Sequence, residues 1–414
     1  NLLTVAIVLL AFLVGVQPSA LAGGSDTEGT ASASTPWWHN YSTMATDPIS
    51  KKVDDIKLIN ADIWRASGWF AGWYGLWYGD QLRYNTDVAT RWQKVIDGGS
   101  RPAMYIDTGE VGDFVALIDE DNKKFLLNGW EWSRWDGTKG SVKWYGLQSF
   151  MADVDWAPYR TAKDYDINPF TYPDGSEIPD GKLYEVLTKR DMHNNWKYQY
   201  FSNPKITDEV AKKSGLADHS LHQTKDPDIQ QGTGWVIGRL AFLDNANPQM
   251  AAYQAKEIEI SIRDFQPAGI HVDDFGSTNI WGVSGTFGMW TTHTYREFMK
   301  EHFSNDELKE MGVDDIETFD IREYCLSAYT EEGINDNKRL NDLRWYSDIL
   351  FKCHLISKSE RCVNYAKTIY DSAKKTLKEE GLDGPVFGNV MPLLPSNGFM
   401  QGNCDVAHFE WKTI

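Results

Sequence analysis

The 414-residue chain is 42% hydrophobic and 24% charged, enough to bury at least one large core and unlike the composition of a disordered protein. Its 41 lysines and arginines against 59 aspartates and glutamates give a formal net charge of −18. With a pI near 4.9, the surface repels nucleic-acid phosphates and acidic membranes, so no nucleic-acid partner is expected.

Residues Asn1–Ala22 read NLLTVAIVLLAFLVGVQPSALA. The apolar run from Val5 to Val16 is about 12 residues, short of the ~20 needed to span a bilayer, and Ala20-Leu21-Ala22 is a small-x-small cleavage site. The pattern is that of a secretory signal peptide, with an anchored helix as the alternative. A secreted, periplasmic or extracellular location is therefore expected, with no membrane in the mature form. No initiator Met and no basic n-region precede it, so the chain is expected to lack its start. Residues 23–60 read as a flexible lead-in and N-terminal segment carrying the glycosylation sequon Asn40-Tyr41-Ser42. Export implies an oxidising compartment in which Cys325, Cys353, Cys362 and Cys404 could pair. A Cys353–Cys362 link would need a turn within a helical region. No CxxC or Cys/His spacing suggests zinc, and no metal or cofactor is expected.

Residues 61–414 repeat one design, a short apolar strand ending in polar residues and then a helix. Strands are predicted at Gly68–Gly75, Arg101–Glu110, Leu240–Asp244, Gly269–Gly276, Pro385–Val390 and Asp405–Trp411. Within them Met104 and Ile106 oppose Tyr105 and Asp107, while Ile270 and Val272 oppose His271 and Asp273. Helical stripes lie between: Ala251, Ala255, Ile258, Ile262 and Phe265 after the Asn247-Pro248 start signal, then Cys362, Ala366, Ile369, Ala373 and Leu377 before Gly381. Tyr295–Tyr324 also reads as helical.

Alternation of this kind indicates parallel β/α architecture. A doubly wound sheet would be apolar on both faces, whereas one face here carries His, Asp, Asn and Glu near the strand ends. A (β/α)8 TIM-type barrel is therefore expected, with those residues at its carboxyl-end mouth. Phe114–Thr233, rich in Trp, Tyr, Asp and Gly, is predicted to be a long insertion after the second strand, made of loops or a small subdomain roofing the mouth. About six strands precede Ile414, so the barrel is expected to be incomplete at its C-terminus.

The strongest chemical signal is GIHVDDFG, where Asp273 and Asp274 end a strand with His271 on the Asp273 face. Burying a carboxylate there without a partner is costly, so packing alone does not explain it. A second carboxylate, Glu410, ends DVAHFEW beside His408 and Trp411. Two carboxylates on different strands of one mouth are what glycosidic cleavage requires: one protonates the leaving oxygen while the other attacks the anomeric carbon or activates water. Asp273, Glu410 and Asp274 are thus the candidate catalytic residues. Candidate substrate-binding residues are His271, Asp107, Glu110, Asn389 and His408, with Tyr105 and Asp113 beside them. Trp69, Trp73, Trp77, Trp130, Trp132, Trp135 and Trp411 are candidate stacking platforms; the 18 Trp, 19 Tyr and 18 Phe exceed what packing requires. No GxSxG elbow, Walker loop, HExxH or GxGxxG occurs in a usable context.

The segments GIHVDDFG, TYREFMKEHFSNDELKEMGVDDIETFDIREY, GPVFGNV and DVAHFEW resemble barrel glycoside hydrolases, in particular β-galactosidase-like bacterial glycosidases. The resemblance covers about Gly234 to Trp411 and more weakly Ala61–Gly112. It implies a carbohydrate substrate and a TIM barrel. The β-galactosidase clan places Asn-Glu at the end of strand four, where this chain has Asp273-Asp274. An Asp there is similar to the α-amylase and α-galactosidase groups, in which it is the nucleophile and the acid follows one or two strands later. That similarity implies Asp273 as nucleophile or base and Glu410 as acid, or the reverse. The function expected is a secreted glycoside hydrolase acting on an extracellular oligo- or polysaccharide. The alternatives are a non-catalytic carbohydrate-binding barrel and a polysaccharide lyase using His271 or a Tyr as base, which the acidic pI disfavours.

Overall fold

The computed structural model describes residues 44–46, 63–71, 86–119, 121–122, 124–127, 140–156, 161–196, 198–219, 223–224, 234–273, 287–328, 348–389 and 403–408. The chain separates into two units, Asn1–His39 and Asn40–Ile414, and every described element lies in the second. The expected signal segment, the sequon, Trp73, Trp77, Trp130, Trp132, Trp135, Asp274, Glu410 and Trp411 fall outside the described residues.

The strands in chain order are β1 (Met44–Thr46), β2 (Ile63–Ala71), β3 (Arg101–Asp107), β4 (Glu110–Asp119), β5 (Lys124–Leu127), β6 (Ser141–Gly146), β7 (Tyr198–Asn203), β8 (Gln223–Thr224), β9 (Gly234–Phe242), β10 (Gly269–Asp273), β11 (Val386–Asn389) and β12 (Val406–His408). The principal helices are α1 (Thr86–Asp97), α2 (Pro248–Phe265), α3 (Met289–His302) and α4 (Ile349–Glu379). A six-stranded sheet in the order β1-β2-β3-β10-β11-β12 is parallel throughout. Spatial order follows chain order with no reversal.

The helices cover the apolar face of this sheet. Met104, Ile106, Ile270, Val272 and Val386 are fully buried in one cluster with Ile258 and Ile262 of α2 and with Ala366, Ile369, Ala373 and Leu377 of α4. The two stripes predicted from the sequence are therefore the faces that pack. Helix α2 starts where expected: the Asn247 side chain accepts from the amides of Gln249 (2.9 Å) and Met250 (3.3 Å), and Pro248 occupies the first turn, where its missing amide proton costs nothing.

Helix α4 runs 31 residues because it serves two cores. Its second half belongs to the main cluster, whereas Leu350, Phe351 and Cys353 of its first half pack with Tyr295, Phe298 and Met299 of α3. Cys353 and Cys362 lie on this unbroken helix, so the turn that a disulfide between them would need is absent, and all four cysteines are thiols. Among the described residues no helix is long and apolar enough to cross a membrane.

Two expectations are corrected. Leu240–Asp244 is not a parallel strand: Leu240–Phe242 close β9, which pairs antiparallel with β4 and β7. With β1 at the edge of the parallel sheet, β10 is the fourth of its described strands. The expected boundary at Phe114 falls inside β4, whose apolar run Phe114–Ile118 is the centre of a second, antiparallel sheet ordered β5-β4-β9-β7, with β6 beside β4 and β8 beside β9. Tyr295–Tyr324 carries helix as expected, in separate pieces. After α3 the backbone extends at Phe303, and Ser304 and Glu307 form a capping box that begins a new helix, Asn305–Glu310; a further helix follows at Ile321–Ala328.

Candidate active site

The alternation in β3 and β10 is matched by their pairing. Parallel register sets His271 beside Tyr105 and Asp273 beside Asp107. On the next strand His271 pairs with Phe387, and Asn389 of β11 pairs with His408 of β12. The face opposite the helices therefore carries a ring layer and, one step nearer the carboxyl ends, a polar row. In the ring layer His271 is fully buried and lies edge-on to Tyr105 at 5.5 Å and to Phe387 at 6.4 Å. The polar row holds Asp107 and Asp273, with Asn389 and His408 at matched register on the following strands. Trp69 is described through its strand position, paired with Tyr105.

Asp273 is the half-buried member of the pair. The Tyr105 hydroxyl donates to its Oδ2, reaching from the neighbouring strand and fixing the rotation of the carboxylate. Its carbonyl accepts from the Thr108 amide at 3.2 Å and the Thr108 hydroxyl at 3.1 Å. Asp107 is only 3% exposed, and its Oδ1 accepts the Gly109 amide at 2.9 Å, closing a tight turn at the strand end. Glu110 begins β4 and is also buried. The turn 107–110 thus joins the two sheets. It is pinned by the Leu243 amide on the Gly109 carbonyl at 2.9 Å and backed by the buried Tyr365 hydroxyl, which sits between Gln254 Oε1 and the Thr108 carbonyl. Of the expected site residues, the structure brings Asp107, His271 and Asp273 together, with Glu110 one turn away. Asp107 stands beside Asp273 at the strand ends, and His271 lies one step back along β10 on the same face.

Asp113 belongs elsewhere. It pairs across β4 and β9 with Arg239, whose Nε and Nη2 donate to its Oδ2 at 3.0 and 2.9 Å. The Tyr184 hydroxyl donates to Oδ1 at 2.6 Å. The Arg239 guanidinium lies 5.6, 5.2 and 5.5 Å from the ring centres of Trp144, Tyr184 and Tyr198, a cage that suits a weakly hydrated planar cation. Burial, followed by the charge of Asp113, pushes the Tyr184 phenol well above its usual range. Burial pushes Tyr198 up to about 12. Asp113 and Arg239 border a cavity of about 350 Å³. Sequence reasoning missed Arg239 and its cage; the signal available was a single charge inside the otherwise apolar GWVIGRLAF.

No family model matches the chain, and no curated protein does. Among solved structures, one similar to it is a β-galactosidase from the psychrophilic Marinomonas ef1, at a TM-score of 0.43 and 8% identity, covering 89% of this chain and 40% of that one. This chain therefore spans less than half the length of that enzyme.

Proposed function

We propose that this chain is an exported glycoside hydrolase on a (β/α) barrel, with Asp273 as nucleophile or base and Glu410 as the acid, acting on an extracellular oligo- or polysaccharide. The observation that carries the reading is the Tyr105–Asp273 pair: a half-buried carboxylate at the carboxyl end of a central parallel strand, held in one orientation by a phenol from the adjacent strand. Strand ends of this kind are where β/α folds place chemistry. A fixed carboxylate is what attack on an anomeric carbon or activation of water demands. Parallel strands whose spatial order follows the chain, with helices packed against their apolar face, support a barrel over a doubly wound sheet, whose strand order reverses.

The test is a panel of aryl glycosides and polysaccharides assayed with the wild-type protein and with Asp273→Asn, Glu410→Gln and Tyr105→Phe. Loss of a catalytic carboxylate should lower kcat by roughly 10²–10⁴-fold while sugar binding persists; loss of the Tyr105 hydroxyl should cost less, through orientation. Wild-type rates in both carboxylate variants would overturn the assignment. Sugar binding without any turnover, unchanged in those variants, would instead indicate a binding barrel.

A further inference from the structure

A cavity of about 720 Å³ lies between the Tyr172–Ser176 turn, the Arg190–Asn194 loop, the first turns of α3 and the Asp320–Arg322 segment. Three guanidiniums from three separate parts of the chain line it: Arg190, Arg296 and Arg322. In a chain of net charge −18, such a gathering of positive charge runs against the composition.

Arg190 and Arg296 are anchored by uncharged oxygens, which hold them in place without neutralising them, whereas Arg322 is paired with Glu323. Arg190 donates from Nη1 to Asn194 Oδ1 at 2.7 Å and from Nη2 to the Glu185 carbonyl at 2.9 Å. Its buried Nε has no partner among the described residues. Arg296 makes one hydrogen bond among the described residues, from Nε to the Phe319 carbonyl at 2.7 Å. Arg322 donates from Nη1 to the Met192 carbonyl at 2.8 Å, and its Nη2 meets Glu323. Among the described residues neither Arg190 nor Arg296 forms an ion pair.

The carboxylates lining the cavity are already engaged. Asp174 Oδ1 accepts the Ser176 amide and hydroxyl at 2.9 and 2.6 Å. Asp320 Oδ1 accepts the amides of Arg322 and Glu323 at 2.8 and 3.3 Å, and its Oδ2 stands 4.0 Å from Arg322. Burial lowers the Arg190 guanidinium below its ordinary range, against the opposing charge of Glu185 and with a smaller contribution from Arg322. Helix α3 begins at the cavity edge, with Gly288 as its cap. Gly288 is required because a Cβ there would fall on the Asp244 carboxylate, which binds the Thr291 amide at 2.9 Å and the Thr291 hydroxyl at 2.6 Å.

We infer that this cavity is a binding site for an oxyanion-bearing small molecule, a carboxylate, sulfate or phosphate group on a body of about monosaccharide size. Guanidinium forks match the paired oxygens of all three groups, and the volume falls within the ~300–1,000 Å³ of ordinary ligand pockets. The site does not depend on Asp273 or on hydrolysis. It lies at the start of α3, the next described helix after β10.

The test is calorimetric titration of the whole chain at low ionic strength with glucuronate, glucose 6-sulfate, glucose 6-phosphate and glucose, using wild type, Arg296→Gln, Arg296→Lys, Arg190→Gln and Asp273→Asn. At least one charged sugar should bind and glucose should not; the tightest of the three identifies the group. Arg296→Gln and Arg190→Gln should each weaken binding at least tenfold, and added salt should weaken it further. Arg296→Lys, which keeps the charge and guards against misfolding, should lose part of the affinity because it lacks the fork. Asp273→Asn should bind as wild type does, which separates this site from the proposed hydrolysis. Equal binding of glucose and glucuronate, no binding of any charged sugar, or affinity unchanged in both glutamine variants would overturn the inference.

Discussion

Lys358 gives a sharp thermodynamic test of how α4 is seated. Its amine points from the helix into a small polar cavity shared with Lys189, Asp244, His354, Arg361 and Cys362, and it is 9% exposed. Burial is the main influence on it; Cys362 and Asp244 oppose the shift and Lys189 adds to it. Together they push the amine from 10.5 down to about 7. The folded state therefore resists the proton that the unfolded chain accepts. Between pH 7 and 10.5 the unfolded state binds more protons, so stability rises with pH through this window and the penalty is almost fully present at its lower end. From the two values, the penalty is about 4 kcal/mol at pH 7 and about 1 kcal/mol at pH 9.5. Replacing Lys358 by Met removes the charge while keeping much of the volume. In urea melts Lys358→Met should exceed the wild type by a few kcal/mol at pH 7, and the gap should shrink by about 3 kcal/mol at pH 9.5. A variant less stable at pH 7, or a gap that does not change with pH, would refute the reasoning.

Two further substitutions probe the supports of the sites. Asp113→Ala leaves the caged Arg239 without its counter-charge and should cost about 3–5 kcal/mol in urea melts, whereas the double change Asp113→Ala with Arg239→Met should recover most of it. If the single and double variants melt alike, the pair contributes nothing specific. Gly288→Ala drives a methyl onto the Asp244 carboxylate and should destabilise by about 1–3 kcal/mol. An unchanged thermal melt would show that the α3 cap tolerates a side chain.

The sequence made the parallel half of the fold legible and left the antiparallel half obscure. In β3 and β10 each strand has one apolar and one polar face, so period-2 alternation names the inward row before any pairing is known. The stripes of α2 and α4 are equally local, since side chains at helical spacing share a face whatever they pack against. Leu240–Asp244 looked like another strand of the same kind because its pairing direction depends on β4, more than a hundred residues earlier, and on nothing within LAFLD itself. Asp273 could be singled out as a carboxylate without a packing role, but its link to Tyr105 needed the register. The arginines of the second cavity come from a loop and two helices; each alone reads as ordinary solvated charge, and only the fold shows them converging.

The central claim is that Asp273 supplies the reacting carboxylate, and chemical rescue tests it most directly. Asp273→Ala removes the carboxylate and leaves room for a small anion, so adding azide to the variant with an activated aryl glycoside should restore turnover and yield a glycosyl azide. Asp273→Ala releasing the aryl group as fast as the wild type, with azide making no difference, would contradict the account.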